Sequence, residues 1–330
     1  MRAWRHVRAL WPGWALALPL PYLGLAALAI AQHRLRWDHV AVVLAALALF
    51  TIGPRSKKLF LGVYPCGLVA VLYDTMRTVE NVGLTAGNVH LCDLRAVEAR
   101  LFGITLGGRP ATLHDWFFIH HSPALDLLCA IPYGAFLFVI VATAVVLFVR
   151  DYPRMLRFSW CWLVLNLAGF ATYHIYPAAP PWYFHARGCV VDLSTHASEG
   201  AALARVDARF SMSYFAGMYG RASDIFGAMP SLHCAYALLI LVVGWGAFGW
   251  PLRVASALFL AVMCFGAVYL DHHWILDVIA GLLYCTVVVA GARVATALWA
   301  AHGSALLPRT TRSEALDRDV AEGRTSSAPG

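Results

Sequence analysis

The sequence carries little charge for its length. Only 13% of its 330 residues are charged, whereas a soluble domain usually has about 25%. Lysine is nearly absent and occurs only at Lys57 and Lys58, so arginine supplies almost all of the positive charge. Hydrophobic residues make up 60% of the chain, and the mean hydropathy is +0.66. This composition excludes an ordinary soluble domain and predicts a protein whose main solvent is lipid.

The sequence also lacks a Cys-x-x-Cys pair, which argues against a zinc site. Six of the eight cysteines lie inside apolar segments, where cysteine is usually a small buried hydrophobe: Cys66, Cys129, Cys161, Cys234, Cys264 and Cys285. Cys92 and Cys189 both fall in loops on the same predicted side of the membrane. Whether they form a disulfide, which needs an oxidising compartment, is left open by the sequence.

Eight apolar stretches approach the length of about 20 residues that a membrane-spanning helix needs. They are residues 11–31, 40–52, 59–73, 125–149, 158–176, 232–245, 253–270 and 274–300. The first could be a cleaved signal peptide, since Ala29-Ile30-Ala31 resembles a cleavage site, but its length and prolines favour an uncleaved anchor. The sequence shows no internal repeat.

Between the third and fourth spans, apolar residues recur at helical spacing and predict an interfacial amphipathic helix: Val89, Leu91, Leu94, Val97, Leu101 and Ile104. The net charge of +7 does not indicate nucleic-acid binding, because the basic residues sit in short loops beside apolar segments. By the positive-inside rule those loops, together with both termini, are cytoplasmic. The stretches 73–77, 177–233 and 272–277 then meet at the outer face.

Two short stretches, Gly227–His233 and Tyr269–Asp277, place histidines at the mouths of apolar segments. His233 and His273 are 40 residues apart. Two helical legs of about 20 residues each, joined by a tight turn at Pro251, would return both histidines to the same depth in the membrane. Ionisable groups at such positions are costly and usually functional.

His273 and Asp277 are four residues apart, which on a helix places them on one face. Asp277 could then accept a hydrogen bond from His273 and leave the other ring nitrogen free to attack. Ser231 is the predicted N-cap of a helix whose backbone N–H groups would meet a phosphate. The pattern predicts phosphoryl transfer, with His233 as the proton donor and His273 as the nucleophile. The alternatives are a metal site and purely structural histidines.

These residues resemble a known family. Pro230–His233 matches the Pro-Ser-x-His motif of the type-2 phosphatidic acid phosphatase superfamily, and His273 with Asp277 matches its last motif. Tyr173–Tyr183 and Tyr269–His273 are similar to the inositol phosphorylceramide synthase branch. The resemblance implies a six-helix phosphatase-type core that reacts through a phosphohistidine, without metal or other cofactor. It implies His273 as nucleophile, His233 as general acid and base, and Asp277 as the orienting carboxylate.

The chain departs from the superfamily pattern at two cationic positions. Gly266-Ala267 stands where Ser-Arg would precede the last histidine, and no suitably spaced lysine precedes Arg109-Pro110. Arg77 is the predicted replacement, and an ion pair with Asp74 is its alternative role. Fewer cations suit a singly charged phosphodiester better than a phosphate monoester. Four arginines of the long loop are further candidates for holding phosphate: Arg187, Arg205, Arg209 and Arg221.

Further substrate contacts are predicted at Ser231, at His272, and at Pro181, Trp182 and Tyr183, which would form a cavity wall or, alternatively, an interfacial anchor. We expect an all-α polytopic transmembrane bundle. Its predicted parts are an N-terminal transmembrane pair (1–58), a phosphatidic acid phosphatase-type catalytic membrane domain (59–302) and a disordered cytoplasmic tail (303–330).

The expected activity moves a phospho-head group, phosphoinositol from phosphatidylinositol, from a membrane phospholipid to a lipid alcohol such as ceramide. One alternative is a phosphatase acting on a lipid phosphate or polyprenyl pyrophosphate, and another is a non-enzymatic lipid-binding membrane protein. We expect the protein in a bacterial inner membrane, with cytoplasmic termini and the site on the outer face.

Overall fold

The structure is a computed structural model that describes residues 2–79, 82–194, 200–220 and 225–306. Within these ranges the chain is mostly helical, with one short β-hairpin. In chain order the elements are α1 (Arg2–Leu10), α2 (Leu20–Ala31), α3 (Trp37–Thr51), α4 (Pro54–Val79), α5 (Cys92–Phe102), β1 (Ile104–Leu106), β2 (Arg109–Ala111), α6 (Leu113–Ile119), α7 (Pro123–Arg150), α8 (Tyr152–Ile175), α9 (Pro181–Arg187), α10 (Ala204–Phe210), α11 (Tyr214–Tyr219), α12 (Leu232–Gly244), α13 (Trp250–Tyr269) and α14 (Ile275–Leu306).

The all-α polytopic membrane fold predicted from the sequence is confirmed. Five helical segments of the described chain are long and apolar enough to cross a membrane: Gly13–Ala31, Pro54–Met76, Pro123–Arg150, Trp250–Tyr269 and Ile275–Ala301. The apolar helices α3 and α12 are shorter, at 15 and 13 residues. The predicted fifth span corresponds to α8, which has 24 residues but includes Arg154, Arg157 and Asn166. The eight predicted apolar stretches therefore all fold as helices, of unequal length.

The N-terminal helices pack through aromatic side chains. Trp11 stacks on Phe50 with ring centroids 4.6 Å apart, and both contact Phe60 of α4. The boundary predicted after residue 58 falls inside α4, and the one after residue 302 falls inside α14. The described chain divides into compact units near residue 289, with the histidine stretches in the first, and the three predicted parts stay a prediction. The predicted tail beyond residue 306 lies outside the described residues.

A short-helix layer, made of α5, the β-hairpin, α6 and α9, lies beside the ends of the long helices. The hairpin was not predicted; it turns at Gly107 and Gly108, whose φ values of +58° and +77° favour glycine. The predicted amphipathic helix forms as α5, but its buried face differs from the expected one. Glu98 is wholly buried while Leu101 is 61% exposed, because ionic partners draw the carboxylate inward.

A disulfide joins Cys92, at the start of α5, to Cys189, just after α9. The bridge ties two parts of the short-helix layer that are 97 residues apart in sequence. The possibility left open by the sequence is therefore realised. Closing so long a loop restricts the unfolded chain. The disulfide therefore stabilises the folded state by roughly 2–4 kcal/mol.

Candidate active site

The hairpin of α12 and α13 brings the two predicted histidines together. His233 is the second residue of α12, and His273 lies in the turn between α13 and α14. The Nδ1 atom of His233 is 3.4 Å from the Nε2 atom of His273. Both side chains line the same cavity. The predicted meeting of the two motifs is therefore present, at a separation that permits proton exchange through a bound substrate.

His273 is oriented by a backbone carbonyl instead of the predicted carboxylate. Its Nδ1 atom donates to the carbonyl oxygen of Ala228 at 2.9 Å, while Asp277 Oδ2 is 3.7 Å away. The predicted contact of His273 with Asp277 is therefore present as an ion pair, but at 3.7 Å it is too long for the predicted hydrogen bond. The reason is that α14 begins only at Ile275, so His273 precedes the helix, and Asp277 Oδ2 instead accepts from the backbone of Trp274 at 2.9 Å. The tautomer still leaves Nε2 of His273 with a free electron pair.

The N-cap predicted at Ser231 is confirmed. Its hydroxyl accepts from the backbone N–H of Cys234, and its own N–H donates to the carbonyl of Asp277 at 2.9 Å. The two motifs are thereby tied together through the backbone. Gly281 of α14 packs directly against this point, since an added Cβ there would lie 2.2 Å from the Ser231 oxygen. The predicted contact of Ser231 with substrate stays a prediction, because the described hydroxyl is engaged in the cap.

A cavity of about 880 Å³ ends at the two histidines. Its walls come from the long helices and are almost entirely apolar, with lining residues that include Val63, Ile140 and Phe170. No lysine, arginine, aspartate or glutamate occurs among the described residues that line it. Trp182 forms part of the wall, as predicted, whereas Tyr183 is buried beside Phe226 with its hydroxyl bonded to Asp192.

Pro181, the third residue predicted for this wall, is the first residue of α9 and is buried. It occupies the N1 position, where proline is well suited because its missing N–H would have no partner inside the helix. The stretch Pro180–Tyr183 thus contributes Pro180 and Trp182 to the cavity, while Pro181 and Tyr183 hold α9 in place.

The rings of Tyr133, His272 and Tyr219 stack beside the histidine pair. Tyr133 stacks on His233 with centroids 4.9 Å apart and on His272 at 5.1 Å, and Tyr219 stacks on His272 at 4.7 Å. The hydroxyls of Tyr133 and Tyr219 and the Nε2 atom of His272 are buried without a hydrogen-bond partner. Burial, together with the nearby His273, lowers the pKa of His272 to about 3. His272 is therefore neutral near pH 7 and lines the cavity with Tyr219.

A chain of ion pairs, which the sequence did not predict, lies behind the loop Leu270–Trp274. We call this loop the catalytic loop, because it carries the predicted nucleophile His273. Successive contacts run from Glu98 to His114 at 3.2 Å, to Asp271 at 3.3 Å, to His185 at 2.5 Å and to Asp115 at 3.2 Å. Arg95 completes it at 2.8 Å from Asp115. We call these six residues the ion-pair chain.

Each imidazole of the ion-pair chain lies between two carboxylates. Burial alone disfavours a charged ring, but the contacts with Asp271 and Glu98 outweigh it and raise the pKa of His114 to about 9. Contacts with Asp115 and Asp271 outweigh burial in the same way and raise the pKa of His185 to about 9. Both rings are therefore charged near pH 7. One signal was present in the sequence: Glu98 follows Leu94 by four residues, on the buried face of α5.

The predicted phosphate-holding arginines are dispersed. Arg205 makes a bidentate contact with Asp126, its closest atoms 2.6 Å apart, and Arg187 pairs with Asp192 at 2.9 Å. Arg209 lines a separate cavity of about 270 Å³. The side chain of Arg77 and the whole of Arg221 lie outside the described residues. The role of Arg77 therefore stays a prediction.

Comparison with known proteins agrees with the geometry. A family model described as the PAP2 superfamily matches residues 104–291. The chain belongs to the PAP2 superfamily. The phosphoinositol dihydroceramide synthase of Bacteroides thetaiotaomicron is 33% identical over 250 residues, which cover 75% of this chain and 81% of that relative.

Two fungal relatives also match this PAP2 protein. The inositol phosphorylceramide synthase of Candida albicans is 31% identical over 253 residues, covering 73% of this chain and 50% of the relative. The inositol phosphorylceramide synthase catalytic subunit of Saccharomyces cerevisiae is 32% identical over 251 residues, covering 74% and 59%. The chain thus spans only half to three fifths of these fungal proteins. No solved structure matches it.

The structure explains one departure of this PAP2 protein from the superfamily pattern. An added Cβ at Gly266 would lie 3.2 Å from Cys129 of α7, and Ala267 is completely buried. The backbone oxygen of Ala267 also accepts from the N–H groups of His272 and His273. An arginine side chain at position 267 would therefore have no room, because α7 packs against α13 at this point.

Proposed function

We propose that the protein is a lipid phosphotransferase that moves phosphoinositol from phosphatidylinositol to ceramide or a similar lipid alcohol. The observation that carries the proposal is the apolar cavity that ends at His233 and His273. Its walls suit acyl chains, and its end supplies the two nitrogen bases that phosphoryl transfer through a covalent intermediate needs. The names of the relatives, which describe phosphoinositol and inositol phosphorylceramide synthases, support the same assignment.

In the first step, Nε2 of His273 attacks the phosphorus of the donor diester. The bond from phosphorus to the diacylglycerol oxygen breaks, and protonated His233 donates a proton to that oxygen. The product is diacylglycerol and a phosphoinositol group bonded to His273. The resulting imidazolium keeps its hydrogen bond to Ala228 and lies 3.7 Å from Asp277, whose negative charge stabilises it.

In the second step, His233 removes the proton from the acceptor hydroxyl. The acceptor oxygen attacks phosphorus, the bond to His273 breaks, and the phosphosphingolipid leaves with the histidines in their starting states. The phosphoryl group must part the two nitrogens, which are only 3.4 Å apart. His233 is the member free to turn, since it has no other hydrogen-bond partner among the described residues, whereas His273 is held by Ala228.

The head group is proposed to contact His272 and Tyr219. Their polar atoms are buried and unpaired, and both residues line the cavity next to His273. A neutral imidazole and a phenol each donate and accept hydrogen bonds, which suits the hydroxyls of a polyol better than a highly charged phosphate. Arg77 is proposed to balance the single charge of the diester, because the described lining contains no lysine or arginine.

We also propose that the site lies on the outer face of the membrane, with both termini cytoplasmic. The positive-inside distribution supports this orientation, and so does the Cys92–Cys189 disulfide, since such bonds persist in oxidising compartments. A fluorescent protein that matures only in the cytoplasm, fused to the C-terminus, should fluoresce in intact cells. A dark, correctly inserted fusion would reverse the proposed orientation.

The decisive assay supplies purified membranes with labelled phosphatidylinositol, with and without ceramide. We expect a labelled phosphosphingolipid that forms only when ceramide is present. His273→Ala should reduce this transfer by about 10⁴-fold or more, as expected for loss of a catalytic nucleophile. His233→Ala should reduce it by about 10²- to 10⁴-fold. Release of labelled inositol phosphate at the same rate without ceramide would indicate a phosphatase instead.

A further inference from the structure

The catalytic loop Leu270–Trp274 is not held by the membrane helices alone. It connects α13 to α14 in a non-helical turn, and Asp271 has a φ of +67°, a left-handed conformation that costs free energy for a residue with a side chain. Such a conformation persists only where the surroundings determine it. The neighbouring contacts therefore decide whether His273 faces His233.

The ion-pair chain supplies contacts to the side chain of Asp271. One carboxylate oxygen lies 3.3 Å from Nδ1 of His114, and the other accepts from Nδ1 of His185 at 2.5 Å. The backbone oxygen of Asp271 also accepts from the N–H of Trp182 at 3.0 Å. Contacts from α6 and α9 thus fix the residue that lies two positions before the nucleophile.

Glu98 fixes the other end of the loop. Its Oε1 atom accepts from the N–H of Ile275 at 3.0 Å, and its Oε2 atom accepts from the N–H of Leu276 at 3.3 Å. These are free donors of the first turn of α14, and a carboxylate at a helix N-terminus is favourable. The same Oε1 atom is 3.2 Å from Nε2 of His114. One buried side chain therefore joins α5, α6 and α14.

We propose that the ion-pair chain is a positioning device that holds the catalytic loop so that Nε2 of His273 faces the phosphorus of the substrate. Glu98 and His114 are its central members, and neither lines the cavity among the described residues. The inference rests on the catalytic role proposed above for His273. A metal site is not indicated here, since in the described parts of the chain no three His, Cys, Asp or Glu side chains are placed to hold an ion.

The test compares Glu98→Ala, Glu98→Gln and the control Asp93→Asn with the full-length wild-type protein in the phosphatidylinositol and ceramide assay. Asp93 is the other acid of α5, and its side chain is 57% exposed. We expect Glu98→Ala to lower kcat by about 100-fold, because a displacement of about 1 Å can cost that much, with little change in KM. Glu98→Gln keeps one acceptor oxygen, so its kcat should fall only about tenfold. The kcat of Asp93→Asn should match that of wild type.

A second measurement does not depend on substrate. Amide hydrogen exchange of the peptide that contains residues 270–276 should become at least about tenfold faster in Glu98→Ala, while exchange in α12 stays unchanged. If wild type transfers phosphoinositol but Glu98→Ala retains its kcat and its exchange rate, the positioning role is overturned and the proposed function stands. If wild type shows no transfer but residues 270–276 exchange faster in Glu98→Ala than in wild type, the proposed function fails and the positioning role stands. Equal loss of protection throughout the variant would reduce Glu98 to a general folding role.

Discussion

The catalytic loop lies between two regions of opposite composition, one almost entirely apolar and the other made of ion pairs. On one side lies the cavity, whose described lining lacks ionised acids and bases other than its histidines and contains buried polar atoms without partners. On the other side lies the ion-pair chain, in which each acid and imidazole meets at least one opposite charge. The first region leaves buried polar groups without a charged partner, while the second pairs its charges within the protein. The proposed site therefore combines an apolar wall with an ion-paired support.

The largest effect on activity is expected at Gly281, where α14 contacts the backbone of Ser231. Gly281→Ala should lower kcat by about 100-fold, because the Cβ would push the start of α12, and hence His233, away from the loop. Folding stability should fall by about 1–3 kcal/mol, the usual cost of overpacking. Gly291→Ala is the matched control on the same helix, since its Cβ meets nothing within 4 Å. Equal activities of the two variants would mean that the contact does not set the position of His233.

The cavity side can be tested at Tyr219, whose buried hydroxyl has no partner. Tyr219→Phe should raise KM for phosphatidylinositol by about tenfold, the effect of losing a hydrogen bond worth about 1.4 kcal/mol, with kcat little changed. Tyr236→Phe is the control, because that hydroxyl lines the same cavity but is already bonded to Asn166 at 2.6 Å. It should lower thermal stability and leave KM unchanged. A KM for Tyr219→Phe equal to that of wild type would remove Tyr219 from the head-group site.

The smallest predicted effect is on folding stability, whose pH dependence differs between the cavity and the ion-pair chain. The folded pKa values of His114 and His185, raised to about 9, give stability that is complete below the ordinary histidine pKa of about 6.5 and is lost as the pH rises through 9. His272, lowered to about 3, gives stability that is lost as the pH falls from about 6.5 toward 3. The groups facing His114 and His185 are Glu98, Asp271 and Asp115.

Thermal unfolding measured between pH 4 and 10 should therefore show the highest stability at about pH 6.5. His185→Gln should flatten the alkaline side of the profile and leave the acidic side as it is. A wild-type profile that stays level up to pH 10 would show that the two imidazoles are not charged in the folded protein.

The cavity side was largely predictable from the sequence, and the supporting side was not. The apolar runs predicted the long helices, and the spacing of His233 and His273 around a hairpin predicted that the two side chains meet. Both predictions depend only on regular helical geometry. The hydrogen-bond partner of His273 was not predictable, since the four-residue spacing to Asp277 places both on one face only within a helix, and α14 begins after His273.

The ion-pair chain escaped prediction because its members are far apart in sequence. Contacts such as that between His185 and Asp271 join residues 86 positions apart and depend on how the short-helix layer folds back. Charged residues such as Glu98 are usually solvated. Its four-residue spacing from Leu94 fits the buried face of α5, but the burial itself depends on tertiary partners such as His114.

The contact between Gly281 and Ser231 gives a criterion for sorting other sequences. Any side chain at the position of Gly281 would overlap the backbone from which α12 starts. A homologue with a larger residue there must either begin that helix differently or separate α12 from α14. Such a sequence could retain both histidine motifs and yet hold them at another distance, so the glycine, four residues after the aspartate of the last motif, tells which relatives share this geometry.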